Sequence, residues 1–164
     1  MTLAPSRSVR RQKHDVHDRP FIVIWEVTRA CQLACLHCRA DAITRRNPGE
    51  LTLDEGRRLL DGIADFPKPH PLVVLTGGDP FERPDLADLV RYGASIGLPV
   101  SLSPSVTPNL TPERLTEMHA AGANAISLSL DGAQSGTHDA FRGFAGTYAA
   151  TRVAVWLAKG IELL

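Results

Sequence analysis

Short apolar segments alternate with amphipathic segments along most of this chain, and this alternation constrains the fold more than any other feature. The apolar segments predict four strands, over residues 21–27, 71–76, 98–103 and 125–131. The amphipathic segments predict four helices, over residues 52–64, 84–96, 111–121 and 147–159. Strands that alternate with helices in this way indicate a parallel α/β sheet whose faces are covered by helices.

Capping signals support two of these helices. Thr52 is a good N-cap residue and Glu55 follows three positions later, which is the capping-box pattern. Thr111 caps the third helix, and Pro112 occupies its first position, where the N–H that proline lacks is not needed.

Each strand–helix unit takes about 30 residues, as in a barrel of eight such units. We therefore expect a partial TIM-like (βα) barrel with about four βα units, in which residues 161–164 begin a fifth strand.

The predicted domain, a barrel core, spans residues 21–164. Residues 1–20 are basic and lack the apolar segment of a secretory signal, so we expect a flexible leader there. The apolar segment 161–164 is not followed by a turn, a cap or polar residues, which favours the interpretation that the core is the N-terminal part of a longer barrel. A complete doubly wound domain of four or five strands is the alternative.

Charge and cysteine content bear on the partners and the compartment. The 18 basic and 18 acidic side chains balance, so nothing in the charge points to nucleic acid or to an acidic membrane surface. No apolar segment of the sequence is long enough to span a bilayer. An odd number of closely grouped cysteines argues against a secreted disulfide framework. We therefore expect a cytoplasmic protein that binds neither nucleic acid nor membrane.

All three cysteines lie within eight residues, at Cys31, Cys35 and Cys38. Thiolates on one short loop can converge on an iron–sulfur cluster, and three thiolates leave one metal position open to another ligand. One alternative is a zinc site completed by His37, although zinc sites usually draw their ligands from two separated segments. A set of inert buried thiols is the other alternative.

Other candidate residues follow the second and fourth predicted strands, so they share an edge of the sheet with the cysteines. Residues 77–80 read Gly-Gly-Asp-Pro, and paired glycines let the backbone approach a ligand closely, although an ordinary turn has the same pattern. Ser129 and Asp131 are two residues apart and therefore on one face of the fourth strand; a capping role is the alternative for Asp131. Ser103 and Ser105 follow the third strand, where capping of the loop is favoured. Trp25 and Trp156 are predicted to lie in the core.

Three motifs together resemble the radical SAM (S-adenosylmethionine) superfamily. They are residues 28–38, TRACQLACLHC; residues 77–80; and Ser-Leu-Asp-Gly at 129–132, followed by His138, Asp139 and Arg142. The resemblance runs from about residue 21 to the last residue. It is closest to the subgroup whose longer members carry a C-terminal SPASM domain with auxiliary clusters.

The resemblance implies a set of cofactors and a reaction. Cys31, Cys35 and Cys38 would hold a [4Fe-4S] cluster, and its open iron would bind S-adenosylmethionine. An electron from a donor such as flavodoxin or ferredoxin would then split that cofactor into methionine and a 5′-deoxyadenosyl radical. The radical would take a hydrogen atom from a peptide or small-molecule substrate, in peptide or cofactor maturation. The cofactors supply the difficult chemistry, and the protein supplies binding and orientation.

The resemblance also assigns the remaining site residues. The loop after the second strand would accept hydrogen bonds from the ammonium group of S-adenosylmethionine, with Asp79 in place of the usual glutamate. Ser129 would lie near the ribose or methionine part, and Arg142 would pair with the methionine carboxylate. The predicted cofactor-binding residues are therefore Gly77, Gly78, Asp79, Pro80, Ser129, Asp131 and Arg142. A non-catalytic iron–sulfur or zinc protein that uses the barrel for binding or electron transfer is the competing hypothesis.

Overall fold

The structure is a computed structural model that describes residues 16–163. Within these residues the strands are β1 (Ile22–Thr28), β2 (Leu72–Gly77), β3 (Val100–Leu102) and β4 (Ala125–Ile126). The α-helices are α1 (Leu53–Ala64), α2 (Leu86–Ser95), α3 (Pro112–Ala120), α4 (Ser135–Arg142) and α5 (Thr147–Gly160), and a short 3-10 turn covers Pro80–Glu82. No helix of this described part is long and apolar enough to cross a membrane. The leader predicted over residues 1–20 falls mostly outside it and stays a prediction.

The strands form one sheet in sequence order, and every neighbouring pair is parallel. Ile22 pairs with Leu72 at the start of β1, and the β1–β2 ladder runs to the end of both strands. Each connection between neighbouring strands carries a helix, so the carboxyl ends of all four strands meet at one edge of the sheet. The prediction of a parallel α/β sheet is confirmed.

The hydrophobic core lies between the sheet and the helices that cover one of its faces. Val73 and Leu75 of β2 are fully buried, as are Leu60 of α1 and Leu89 of α2. Met118 of α3 is also fully buried in the same cluster. Burial of these side chains is the main force that fixes the helices on the sheet, at about 1.5–3 kcal/mol for each large apolar side chain.

Trp156 is 73% exposed, so the prediction that it lies in the core was wrong. Helix α5 buries Thr147, Thr151, Ala154 and Ala158, and the last two lie one turn apart. Trp156 falls midway between them in sequence and therefore points to the opposite side of the helix. Trp25, by contrast, is partly buried against the core cluster, as predicted.

β4 is much shorter than predicted, because residues 127–131 leave the sheet. Its neighbour β3 ends at Leu102, and Pro104, which lacks an N–H, follows two residues later. The Ser127 amide still donates to the Leu102 carbonyl, 2.8 Å away, and no ladder continues beyond it. Ser129 and Asp131 therefore lie in a loop, not on one face of a strand.

Two further differences concern the last quarter of the chain. Helix α4, which begins at Ser135, was not predicted, and its N-cap residue Gln134 makes no side-chain capping bond. In the region of the predicted fifth strand, residues 161–162 form a turn and Leu163 is buried. The Leu163 carbonyl accepts a hydrogen bond from the Ile126 amide at 2.7 Å, so the chain reaches the open edge of β4 there.

The capping box predicted for α1 is present. The Glu55 amide donates to the Thr52 hydroxyl at 3.3 Å, and the Thr52 amide donates to the Glu55 carboxylate at 2.8 Å. The Thr52 hydroxyl also donates to the Glu55 carboxylate, at 2.9 Å, and the two bonds that this carboxylate accepts hold the pKa of Glu55 below its ordinary value. The cap fixes where the long loop that carries the cysteines ends and where α1 begins.

We expect Thr52→Ala to lower the free energy of unfolding by about 1 kcal/mol, because the helix loses its N-cap oxygen. Urea unfolding followed by circular dichroism measures the change. Thr116→Ala is the matched control, since Thr116 is also exposed and its hydroxyl only donates to the Pro112 carbonyl within α3. The control should change stability by less than about 0.5 kcal/mol. Equal losses in the two variants would contradict the capping role.

Candidate functional site

The cysteine loop connects β1 to α1 and closes on itself. The Cys31 amide donates to the Ile43 carbonyl and the Ile43 amide donates to the Arg29 carbonyl, both at 2.9 Å. These two bonds form a parallel bridge between Ala30 and Ile43, so the two ends of the cysteine segment lie side by side. The loop is therefore a closed unit at the carboxyl edge of the sheet.

The three cysteines have free thiols and line one open cleft of about 330 Å³. Cys31 is buried at the base, Cys35 is half-buried and Cys38 is exposed. Gly77, Gly78, Ser103, Ser105, Ser129 and Arg142 line the same cleft. The fold thus brings the loops after all four strands together around the thiols.

Each sulfur has a nitrogen donor close to it. The Leu33 amide donates to Cys31 Sγ at 3.4 Å, and the Ala42 amide donates to Cys38 Sγ at 3.3 Å. The Arg142 guanidinium donates to Cys35 Sγ at 3.7 Å. Donors of this kind stabilise negative charge on sulfur, whether on a thiolate or on a thiolate bound to metal.

Burial is the largest influence on the Cys31 thiol and raises its pKa, although the Leu33 amide acts in the opposite direction. A metal or cluster at this position would therefore displace a proton from the thiol on binding. Among the described residues no group of three His, Cys, Asp or Glu side chains is arranged to hold a single metal ion. The fit to a cluster is carried by the three sulfur donors, their shared cleft and their N–H partners.

Gly77 and Gly78 are required by backbone packing against the cysteine loop. The Gly78 amide donates to the Thr28 carbonyl at 2.9 Å. Gly77 has a φ of 139°, and a Cβ built on it would lie 2.0 Å from that same carbonyl oxygen. A Cβ on Gly78 would lie 2.4 Å from the Ala30 carbonyl oxygen. Only glycine lets the end of β2 come this close to the segment before Cys31.

Asp79 and Pro80 lie in the same loop but do not line the cleft. The Asp79 carboxylate is fully buried, accepts from the Phe81 amide at 3.1 Å, and accepts from the Thr107 hydroxyl at 2.7 Å. Burial raises the pKa of Asp79 to about 6, against the lowering effect of these hydrogen bonds. Here the side chain caps the 3-10 turn and ties it to the loop after β3.

Ser105 links the thiol and the glycine loop. Its hydroxyl donates to the Gly78 carbonyl at 2.8 Å and accepts from the Cys31 thiol at 3.6 Å. Sequence reasoning favoured loop capping for this residue, and Thr107 was not singled out at all. Both residues follow β3, whose neighbour β2 is followed by the glycine pair, and this position was the signal that could have identified them.

Arg142 lies at the end of α4, and its side chain is 12% exposed. Its Nη2 is 2.6 Å from Asp131 Oδ2, yet this buried nitrogen makes no aligned hydrogen bond. His37 stacks on Phe141 with the ring centroids 4.2 Å apart, and His37 Nε2 lies 4.0 Å from Asp131 Oδ1. A guanidinium at the rim of a thiol-lined cleft is suited to receive a carboxylate.

We expect Gly78→Ala to lower the free energy of unfolding by about 1–3 kcal/mol or more, because the alanine Cβ would collide with carbonyl oxygens of the cysteine loop. Thermal or urea unfolding of the chain measures the loss. Gly62→Ala is the matched control, because nothing lies within 4 Å of its Cβ position in α1. The control should stabilise the chain by up to about 1 kcal/mol. A neutral Gly78→Ala would contradict the close approach.

Asp79 should make stability depend on pH in a defined direction. Its pKa in the folded chain, about 6, is above its ordinary value of 3.8, so the folded state binds this proton more tightly. The stabilising contribution is present below about pH 4 and is lost as the pH rises through about 6. Wild type should therefore lose stability relative to Asp79→Asn over this window, in urea unfolding of the apoprotein. The surface variant Asp88→Asn is the control and should lose stability with rising pH as wild type does. A difference in stability between wild type and Asp79→Asn that does not change with pH would contradict the raised pKa of Asp79.

Comparisons with known proteins agree with this site. The model of the Radical SAM superfamily matches residues 25–160. The AdoMet-dependent heme synthase of Methanosarcina barkeri is 40% identical over 145 residues, which are 88% of this chain and 39% of that protein. The mycofactocin maturase of Mycobacterium ulcerans is 34% identical over 151 residues, which are 91% of this chain and 39% of that protein. The chain thus spans about two-fifths of the length of these relatives.

A solved structure shows the same fold. Methylornithine synthase superposes with a TM-score of 0.66 over 84% of this chain and 41% of that chain, at 21% sequence identity. This likeness confirms the partial TIM-like barrel with parallel strands. The family match covers most of the chain, and the heme synthase and the maturase named above are at least 34% identical to it. The chain therefore belongs to the radical SAM superfamily.

Proposed function

We propose that residues 21–164 form the part of a radical SAM enzyme that binds the [4Fe-4S] cluster and S-adenosylmethionine. The observation that carries this proposal is the single cleft that three free thiols share with a glycine loop and an arginine. Its chemistry matches the needs of both cofactors, since thiolates ligate iron and a guanidinium binds a carboxylate. When bound, these cofactors supply reductive cleavage of S-adenosylmethionine and the hydrogen abstraction that follows.

The cysteine loop is the proposed cluster site. Cys31, Cys35 and Cys38 would each give one thiolate, and the amides of Leu33 and Ala42 would donate to two of the sulfurs. Such hydrogen bonds tune the electron affinity of iron–sulfur centres. The buried position of Cys31 would shield that side of the cluster from water.

The rim of the cleft is the proposed site for S-adenosylmethionine. Arg142 would take the methionine carboxylate, because its guanidinium lines the cleft beside Cys35 and is suited to bind a carboxylate. Ser129 and the backbone of Gly77 and Gly78 line the adjoining wall and would contact the rest of the cofactor. Asp79 and Pro80 would act by holding this loop in place, since their side chains are buried beneath it.

For the substrate we propose a haem precursor, that is, a tetrapyrrole. Several of the most similar relatives are named for haem synthesis, and they are more similar to this chain than the mycofactocin maturases, whose name points to peptide maturation. A peptide is therefore the second class to test. We further propose flavodoxin or ferredoxin as the electron donor and the reducing cytoplasm as the compartment, which suits three free thiols.

Replacement of one cluster ligand tests the proposed function. After anaerobic reconstitution with iron and sulfide, the protein should gain the broad visible absorption of a [4Fe-4S] cluster and, with reductant, release 5′-deoxyadenosine from S-adenosylmethionine. Cys31→Ala should lose most of the bound iron and at least about a hundredfold of the cleavage rate, because a ligand is missing. Ser95→Ala, an exposed position on α2, should match wild type.

Two outcomes would overturn the proposal. The first is a visible spectrum and iron content that Cys31→Ala leaves unchanged. The second is a protein that takes up zinc but forms no cluster under these conditions, which would favour the competing hypothesis of a zinc site.

A further inference from the structure

Asp131 stands out because it contacts the arginine of the proposed cofactor site without lining the cleft. Its carboxylate oxygen Oδ2 lies 2.6 Å from Arg142 Nη2, and the Asp131 side chain is 21% exposed. Asp131 is not among the residues that form the walls of the cleft. A second carboxylate there would also repel the carboxylate of S-adenosylmethionine. Direct binding of that group by Asp131 is therefore disfavoured by charge.

The backbone at Asp131 is fixed by a buried histidine of α4. The Asp131 amide donates to Nδ1 of His138 at 3.1 Å, and His138 is 1% exposed. The next residue, Gly132, is packed so closely that a Cβ on it would lie 2.9 Å from the His138 amide nitrogen. The loop after β4 is thus fastened to α4, the helix that ends in Arg142.

Arg142 is held from two sides. Its Nη1 donates to Cys35 Sγ at 3.7 Å, while Nη2 faces the Asp131 carboxylate. The second contact is an ion pair between opposite charges, although its geometry is not that of an aligned hydrogen bond. A long arginine side chain without such contacts would lose rotamer freedom on binding a ligand, and that loss weakens affinity.

We propose that Asp131 is a positioning residue, whose charge holds Arg142 beside Cys35 so that the guanidinium is ready for the carboxylate of S-adenosylmethionine. This inference rests on the proposed function, because it assumes that the cleft binds this cofactor. It assigns to Asp131 an indirect role through Arg142, in contrast to the direct cofactor contact predicted from the sequence.

A double-mutant cycle on the reconstituted holoprotein tests the role. Isothermal titration calorimetry would measure the Kd of S-adenosylmethionine for wild type, Asp131→Asn, Arg142→Gln and the double variant. We expect Asp131→Asn to raise the Kd about tenfold, the scale expected when one long side chain loses its ordered position. Arg142→Gln should raise it by at least as much. The double variant should bind no more weakly than Arg142→Gln alone, because Asp131 acts through Arg142.

Two further variants separate positioning from a general structural role. Asp131→Glu keeps the charge and should stay within about threefold of the wild-type Kd, whereas loss of fold would weaken both Asp131 variants alike. Asp139→Asn is the matched control, because Asp139 lies on α4, the helix that ends in Arg142. Asp139 accepts from the Gly146 and Tyr148 amides, both at 2.7 Å, and so anchors the start of α5 away from Arg142. This control should lower the melting temperature and leave the Kd within about twofold.

The electron paramagnetic resonance spectrum of the reduced cluster gives an independent readout. The spectral change that S-adenosylmethionine causes in wild type should be smaller in Asp131→Asn at equal ligand concentration and should be recovered in Asp131→Glu. Additive losses in the cycle, or an unchanged Kd in Asp131→Asn, would overturn the positioning role alone. If wild type itself forms no cluster or binds no S-adenosylmethionine, the proposed function fails, and this inference fails with it.

Discussion

The close approach of two backbones at Gly77 and Gly78 is the constraint on which the rest of the site depends. There the end of β2 packs directly against residues 28–30, just before the first cysteine, and the Asp79 amide donates to the Ala30 carbonyl at 2.7 Å. Any side chain at these positions would push the two segments apart. The same contact orients the cysteine loop and places a glycine backbone in the wall of the cleft, so fold and site share one interaction.

From this contact the site extends across the sheet edge through polar links. Ser105 joins the Cys31 thiol to the Gly78 carbonyl, and the buried Asp79–Thr107 bond fixes the loop after β3 to the 3-10 turn. On the far side, α4 brings Arg142 to Cys35. Each loop that follows a strand therefore contributes to this set of contacts, and the spacing of the strands in the sheet sets the distances between the loops. This arrangement explains how residues 111 positions apart in sequence, Cys31 and Arg142, line the same cleft.

Much of the fold followed from local patterns, and the exceptions have physical reasons. The capping box at Thr52 and the core strand β2 formed as predicted, because each depends on residues close in sequence. β4 ends at Ile126 because its neighbour β3 is short, and the length of β3 cannot be read from the residues of β4. Trp156 was misplaced because burial on α5 is decided by which of its faces packs against neighbouring elements, among them α3 and α4. Asp79 was assigned to the cofactor on family resemblance, whereas the structure buries its carboxylate against Thr107.

The amino-acid sequence alone defines the chemistry available to this protein: three thiols on one loop, a glycine pair after the second strand, and an arginine in a motif typical of the radical SAM superfamily. It also determined the parallel α/β class, since strand and helix periodicities are local properties. Tertiary structure alone decided which side chains face the cleft and which support it. Ser105 turned inward, Asp79 turned away, and Asp131 came to lie against Arg142. Such choices depend on contacts between segments far apart in sequence, and no local pattern encodes them.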